Sequence, residues 1–470
     1  MSLFASLQNS VSALQAQSLA VQITGKNLAN VNNPAYARER VNFDSGVTVV
    51  TPEGAQSAGI DASVEQLRDA LLDHQVINET ALSSYYNTIQ AAYQRTQASL
   101  GQNLSSTSAT GATGNTTSDT GIGAAVDDFF NAFQNLASNP TDGGARQALL
   151  ASATILTDRL QQADQSLQQV QDDLKTQIDS NVSDANGLLA SIANLNSQIG
   201  RIEVNNPGSA VDLRDQRQAA LEKLAAFVPI RVTEGSNGQV QVSAAGGGGT
   251  SVPLVTLGAV QGSLAFDAST TPPTVTGGDP ATALALTSGS IKGALDASGG
   301  AVQTLRDQLD ALAGQLVTAV NTAYSPTGGT FFNAAGLTAG TIALATGLTA
   351  ASLQTTATGG AAGDNDVALA VANVASKKFS VSGGDGIDGT LSSFFSSSVT
   401  QFGQALSTVN ANVQNQTTIK TLVTNQRDSV SGVNLDEETA NLMKYQRAFQ
   451  ASSRVFQIID NLLDQVVNKL

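Results

Sequence analysis

The sequence predicts a mainly α-helical chain with β insertions. Its terminal helices form a coiled-coil-like axial domain, beside an elongated helical rod domain and a small inserted β domain. Three observations predict this. Apolar residues recur every seven positions at both ends of the chain. A run of roughly sixty residues in the first half keeps a helical apolar period. A stretch of short alternating segments, split by Gly and Pro, interrupts the helices.

At the N-terminus, Phe4, Val11, Ser18 and Gly25 take one seam position, and Leu7, Leu14, Val21 and Leu28 the other. This is a narrow stripe suited to packing on another helix. The last 36 residues repeat the pattern more strongly. Leu435, Leu442, Phe449, Phe456, Leu463 and Leu470 fall seven apart, with Tyr445, Ile459 and Val466 on the second register. Asn434 is placed to cap this helix, with Glu437 to complete a capping box and Asp436 favoured by the helix dipole. A 3.5-residue period sustained this long reads as coiled coil or bundle.

Between the ends, residues 64–100 read as a helix with apolar or aromatic residues at 64, 67, 71, 82, 85, 89 and 93. Residues 144–204 read as a long helix, with a break expected at Asn186-Gly187. Residues 305–324 add a shorter one. Segment 101–120 is Ser-, Thr- and Gly-rich without periodicity and reads as a mobile loop. Residues 229–286 read as an inserted β domain, and 326–390 as a Thr/Gly/Ala-rich stretch with short β runs. The expected division is 1–55 with 415–470 as the axial domain, 56–227 with 287–414 as the helical domain, and 228–286 as the β insert.

Composition excludes several classes of function. With 23 Lys and Arg against 38 Asp and Glu, the net charge of −15 argues against nucleic acid or an anionic membrane as partner. Charged residues make up 13% of the chain, against about a quarter in an average domain, so like copies meet without strong repulsion. There is no Cys, hence no disulfide, thiolate metal site or Cys nucleophile. No apolar run approaches the about 18 residues a membrane span needs. The first cation is Lys26 and polar residues interrupt the preceding stretch, so export without a cleaved signal peptide is expected.

A search for chemistry finds no catalytic residue, no cofactor site and no metal site. His74 is the one histidine and reads as a packing contact. The run 383–391 matches a calcium-binding nonapeptide except at Thr390, but such ions are shared between stacked copies and this is a single copy. Asp127-Asp128, Asp172-Asp173 and Asp436-Glu437-Glu438 are helix neighbours whose side chains diverge, so they cannot work as an acid–base pair. Asn103 opens a formal glycosylation sequon that carries little weight here.

The terminal seams adjoin two recognisable motifs. Residues 23–38, Ile-Thr-Gly-Lys-Asn-Leu-Ala-Asn-Val-Asn-Asn-Pro-Ala-Tyr-Ala-Arg, resemble the signature turn of the bacterial flagellar rod, hook and hook-associated proteins. Asn33 stands where Thr is usual and Ala35 where Gly is. Residues 431–455 resemble the C-terminal end of the same family. The run Asp212-Leu213-Arg214-Asp215-Gln216-Arg217, residues 293–296, Phe331-Phe332 and residues 363–365 resemble its hook-associated branch. The resemblance implies a structural subunit, not an enzyme, exported by the flagellar type III route. It further implies assembly into a ring at the extracellular hook–filament junction. Implied partners are further copies of itself, hook protein, hook-associated protein 3 and an export chaperone on the C-terminal segment. Implied subunit contacts are Leu7, Val11, Leu14, Val21, Leu28, Asn30, Pro34, Tyr36, Leu435, Leu442, Tyr445, Phe449, Phe456, Ile459, Leu463 and Val466. The rival readings are a hook or distal rod protein and, from another class, an exported cell-wall hydrolase.

Overall fold

The computed structural model describes residues 3–45, 48–51, 54–57, 59–104, 121–361 and 363–469, with side chains described from residue 6 to 465 apart from those at 45–58 and 100–104. Helix α1 (Leu3–Ala29) leads through a turn into a β ribbon. In the ribbon β1 (Glu39–Ser45), β2 (Thr48–Thr51), β3 (Gly54–Ser57) and β4 (Ile60–Gln66) form two antiparallel pairs, β1 with β4 and β2 with β3. Then follow α2 (Ala70–Leu104), α3 (Ile122–Ser138), α4 (Gly143–Glu203) and α5 (Val211–Phe227).

The insert holds two small sheets. Strands β5 (Arg231–Glu234), β6 (Val240–Ala245), β7 (Ser251–Thr256) and β8 (Ala259–Val260) make a meander. Strands β9 (Ala265–Asp267), β10 (Thr274–Gly277) and β11 (Thr282–Ala283) make a second sheet, with β10 in the middle. The chain returns through α6 (Gly289–Gly299), α7 (Ala301–Tyr324), α8 (Asp366–Ala372) and α9 (Leu391–Ser431), and closes with α10 (Leu435–Lys469).

Helix α4 is the spine of the body. Its 61 residues, about 90 Å at 1.5 Å per residue, run without a break. Asp142 caps it by accepting the Gly144 N–H at 2.9 Å. Its buried stripe runs through Leu149, Leu156, Leu160, Leu167, Leu174 and Ile178, and α3, α5, α6, α7 and α2 pack along it. At the far end Phe129, Phe133, Tyr324, Phe331 and Phe332 stack edge-to-face or tilted at centroid distances of 5.0–5.7 Å.

The expected break at Asn186-Gly187 does not form. Across it the buried stripe continues from Ala185 to Leu189, Ile192, Asn196, Ile199 and Glu203, so Leu188 is half-buried and Ile202 is exposed. Asn186 does another job. Its amide donates to Leu264 O at 2.9 Å and accepts from Leu264 N–H at 2.8 Å, pairing with the insert as a strand would. Asn196 does the same with Val240, at 2.7 and 3.2 Å. Asn186→Ala leaves two groups of the buried Leu264 backbone without partners and is expected to cost about 2–3 kcal/mol. Limited proteolysis should then cut residues 259–286 first, and an unchanged digest contradicts that role.

Three other expectations are corrected. The helix expected from residue 64 begins at Ala70, because residues 60–66 alternate polar and apolar and pair with β1 instead. Val64 and Leu67 are therefore off the helix, and Leu71 is exposed. The expected loop at 101–120 begins later, since α2 reaches Leu104, and residues 105–120 lie outside the described residues. The stretch 326–390 forms isolated bridges, Phe332 with Leu344 and Phe379 with Gly389, and the helix α8 rather than runs of strand. Helix α9 passes through residue 415 unbroken, and the chain bends at Gly432.

Candidate assembly site

Helix α1 packs on α10 and on the β1–β4 ribbon. Pressed from two sides, it buries small residues most deeply: Ala16, Ala20, Thr24 and Asn27. Small side chains let neighbouring backbones come close. Leu7, Leu14, Val21 and Leu28 are half-buried flanks of this stripe, and Val11 is exposed. On α10, Leu442, Tyr445, Phe456, Ile459 and Leu463 are half-buried, while Leu435 and Phe449 are exposed. Val466 is helical, but its side chain lies outside the described residues, as do those of Phe4 and Leu470. Met443, Val455, Ile458 and Leu462 are also exposed, Ile458 at 59%. Val455, Ile458 and Leu462 are spaced three and four apart, so they share one face of α10. An apolar face of the axial pair is thus left uncovered within one chain.

The base of this pair is a buried polar junction, and Asn27 is its centre. Asn27 is 1% exposed and uses its whole hydrogen-bonding capacity. Its Nδ2 donates to Glu39 O at 2.8 Å and to Glu438 Oε2 at 2.9 Å. Its Oδ1 accepts from the Tyr36 hydroxyl at 2.7 Å and from Glu39 N–H at 3.0 Å. One side chain therefore joins α1, the turn, β1 and α10. Glu438, 2% exposed, also receives Arg38 Nε at 2.8 Å and Nη2 at 2.7 Å. Arg38 reaches Glu437 at 3.0 Å, and its N–H binds Ser431 O at 2.8 Å. Glu437 is thus spent on Arg38. Asn434 does cap α10, its Oδ1 accepting from the N–H groups of Asp436 at 3.0 Å and Glu437 at 3.3 Å.

Two more arginines read the turn's carbonyls. Arg427, buried on α9, donates to Pro34 O at 3.0 Å and pairs with Glu222 of α5 at 2.9 Å. Arg68 donates to Ala35 O at 3.1 Å while pairing with Asp73 at 2.8 Å and Asp215 at 2.6 Å. Lys26 bridges Glu39 and Asp212, the latter at 2.6 Å. Asn30 donates to Lys26 O at 3.0 Å, closing the end of α1. Asn33 Oδ1 accepts the Ala35 N–H at 3.3 Å, a local turn closure that serves where Thr is usual. Ala35 is not in the left-handed region, so the missing Gly costs nothing there.

The electrostatics follow from burial. Burial, with Glu39 and Asp215 nearby, pushes the Tyr36 phenol far above its ordinary range, so it stays a donor to Asn27. Burial likewise raises the Glu39 carboxyl against the pull of Lys26, and raises that of Asp215 against Arg68. Burial would lower Lys26, but its bonds to Asp212 and Glu39 outweigh that and raise it.

Among the predicted contacts, the structure thus gathers Asn30 and Tyr36 at the junction, and Tyr36 is consumed within the chain. Pro34 is exposed apart from its carbonyl. The junction residues that sequence reasoning passed over are Asn27, Arg38, Glu39, Arg68, Arg427 and Glu438. Their signal was an amide or a charge inside otherwise apolar or small-residue motifs. His74 is half-buried on α2. In the run 383–391, Asp385 and Asp388 accept backbone N–H groups of Ser380 and Val381, each at 2.9 Å, as turn fasteners. Among the described residues no group of three or more His, Asp or Glu is arranged to hold a metal.

Paired terminal helices, a charged turn at their base and a helical body with a β insert match the arrangement expected of a flagellar axial protein. The comparisons agree with this class. The family model described as flagellar hook-associated protein FlgK helical domain matches residues 112–330. That described as flagellar basal body rod FlgEFG protein C-terminal matches residues 425–470. The flagellar hook-associated protein 1 of Bacillus subtilis is 26% identical over 99% of this chain and 98% of its own length. Those of Escherichia coli and Salmonella typhimurium are also 26% identical, over 51% of this chain. The matches span 42% and 41% of those two longer relatives. The solved flagellar hook junction protein FlgK from Burkholderia pseudomallei matches with a TM-score of 0.47 and 24% identity, over 55% of this chain and 46% of its own. The chain is thus similar to flagellar hook-associated protein 1 over nearly its whole length.

Proposed function

We propose that the chain polymerises through its α1–α10 pair, as a structural subunit of the extracellular junction between flagellar hook and filament. The observation that carries this is the uncovered apolar face of α10, formed by Val455, Ile458 and Leu462 on a helix whose packing partner is α1. Such a face on a two-helix pair marks an interaction site. The chain is not an enzyme. The hook or distal rod reading loses to the match over 112–330, since the shared signature lies only at the chain ends.

In this reading the exposed Val11, Leu435 and Phe449 also meet neighbouring copies in a ring, Leu435 and Phe449 from the seam side of α10 and not from the face of Val455, Ile458 and Leu462. Leu7, Leu14, Val21, Leu28, Leu442, Tyr445, Phe456, Ile459, Leu463 and Val466 form the seam within and between subunits. Residues 1–55 and 415–470 act as the axial domain, 56–227 and 287–414 as the helical body, and 228–286 as the β insert. Hook protein contacts the ring on one side and hook-associated protein 3 on the other. An export chaperone covers the C-terminal segment before type III export, which uses no cleaved signal.

An isolated two-helix pair buries too little to offset roughly 1–2 kcal/mol of backbone entropy per residue, so its ends should open readily before assembly. Hydrogen exchange is the test. In the isolated subunit residues 435–470 should exchange fast while α4 is protected, and incorporation should slow their exchange at least tenfold. Strong protection of 435–470 in the monomer overturns the reading.

A further inference from the structure

Away from the axial pair, a cleft of about 390 Å³ opens between the start of α2, helix α5 and strands β5 and β6. Arg68, Arg214 and Arg217 line it. Two of the three are neutralised. Arg68 pairs with Asp73 and Asp215, and Arg214 with the buried Glu203, whose Oε1 and Oε2 it meets at 2.8 and 2.6 Å.

Arg217 differs. It is 6% exposed, and among the described residues no carboxylate stands within ion-pair distance of it. Its Nη1 donates to Asn196 Oδ1 at 2.9 Å and Gly238 O at 2.7 Å. Its Nε and Nη2 have no hydrogen-bond partner among the described residues, yet neither is among the sealed, unpartnered atoms. Solvent therefore reaches them, and the cleft is the opening that Arg217 lines. Burial, with Arg214 nearby, pushes Arg217 down to about 10, so it stays charged at neutral pH. Glu203, whose carboxylate is spent on Arg214, acts on Arg217 only through its charge, so the buried Arg217 lacks a direct counter-ion, and an anion in the cleft offsets the cost of burying it.

The cleft's own carboxylates do not fill this role. Asp73 is held by Arg68 at 2.8 Å. Glu65 is held by Arg40 at 3.0 Å and Asn42 at 2.7 Å. Glu234, exposed at the end of β5, makes no ion pair among the described residues and lies near enough to act on Arg217 through its charge alone.

We infer that this cleft is an oxyanion site, in which a carboxylate or phosphate group docks on the free N–H edge of Arg217 beside Arg68 and Arg214. The volume suits a small ligand or one acidic side chain with its neighbours. The guanidinium edge offers the fork that oxyanions bind. The chain itself carries 38 acidic residues, so a neighbouring copy supplies the same chemistry as a free anion.

The full chain is titrated with inorganic phosphate, and separately with acetate, at constant ionic strength, by calorimetry and by the ¹⁵N shifts of the arginine side chains. Saturable binding with a shift at Arg217 is expected, and Arg217→Met abolishes it. Glu234→Gln removes the competing charge at the mouth without touching the arginines, and should tighten binding roughly threefold or more. Absence of saturable binding by either anion overturns the site, and so does an affinity that Glu234→Gln leaves unchanged. Repeating the titration on assembled protein separates the sources. Binding lost on assembly assigns the site to a neighbour's carboxylate, and binding retained assigns it to a free anion.

Discussion

Asn27→Ala should uncouple the axial pair from the body at a cost of roughly 3–5 kcal/mol. The reason lies in what Asn27 alone connects. Its removal strands the Tyr36 hydroxyl, the Glu39 N–H and C=O, and one oxygen of Glu438, all within a buried junction. Each buried group left unpaired costs about 1–3 kcal/mol, and water entering the gap recovers part of it. The spine and its packing are remote from this residue, so the body should stay folded. Exchange should rise at the end of α1, 26–30, and at the turn and start of β1, 33–41, while α4 remains protected. Asn27→Asp should be no milder. It keeps the two acceptors, loses both donors, and sets a second carboxylate against Glu438. Equal exchange at those segments in wild type and Asn27→Ala would show that the arginines alone hold the junction.

The junction also explains which parts of this structure could be read from the chain. Repetition was legible. Five heptads on α10 and the long apolar period of α4 needed no tertiary knowledge, because a helix's own geometry dictates the spacing. The β insert was legible from its alternation and its Gly and Pro breaks. The ribbon at 39–66 was overlooked although Ile60-Asp61-Ala62-Ser63-Val64-Glu65 alternates cleanly. Apolar residues at 64, 67 and 71 also fit a helix, and for short runs the two periods overlap. Pairing with β1 decides the matter, and pairing is not local.

The polar interior was the least legible part. Asn186, Asn196 and Glu203 sit on the buried side of α4, where a pattern of apolar positions has no place for them. Each is there because the insert or α5 presents backbone or arginine groups at that height. The same holds at the site. Asn30, Pro34 and Tyr36 stood out as a turn, but the roles of Asn27, Arg38 and Glu438 follow from α1 and α10 arriving at the same place, some 400 residues apart in sequence.

Phe456→Asp should abolish incorporation into the polymer, and its contrast with Ile458→Asp separates two surfaces of one helix. Phe456 is half-buried on the seam of α10, whereas Ile458 is 59% exposed on the uncovered face. A carboxylate on the seam loses the apolar contact and gains a desolvation penalty, together on the order of 3 kcal/mol or more. An axial pair with little stability of its own cannot absorb that loss. Circular dichroism should report reduced helix for Phe456→Asp, and a melt of the body close to wild type. Ile458→Asp should keep the helix content, since its side chain already meets water. It should still depress assembly at least tenfold, because the face offered to a neighbour then carries a charge into an apolar contact. Leu442→Asp should behave like Phe456→Asp, close to the Glu438 end of the seam. If Ile458→Asp assembles normally while Phe456→Asp does not, the exposed stripe is not a subunit contact and the seam alone carries the polymer. If both assemble normally, the α1–α10 pair is not the polymerising element.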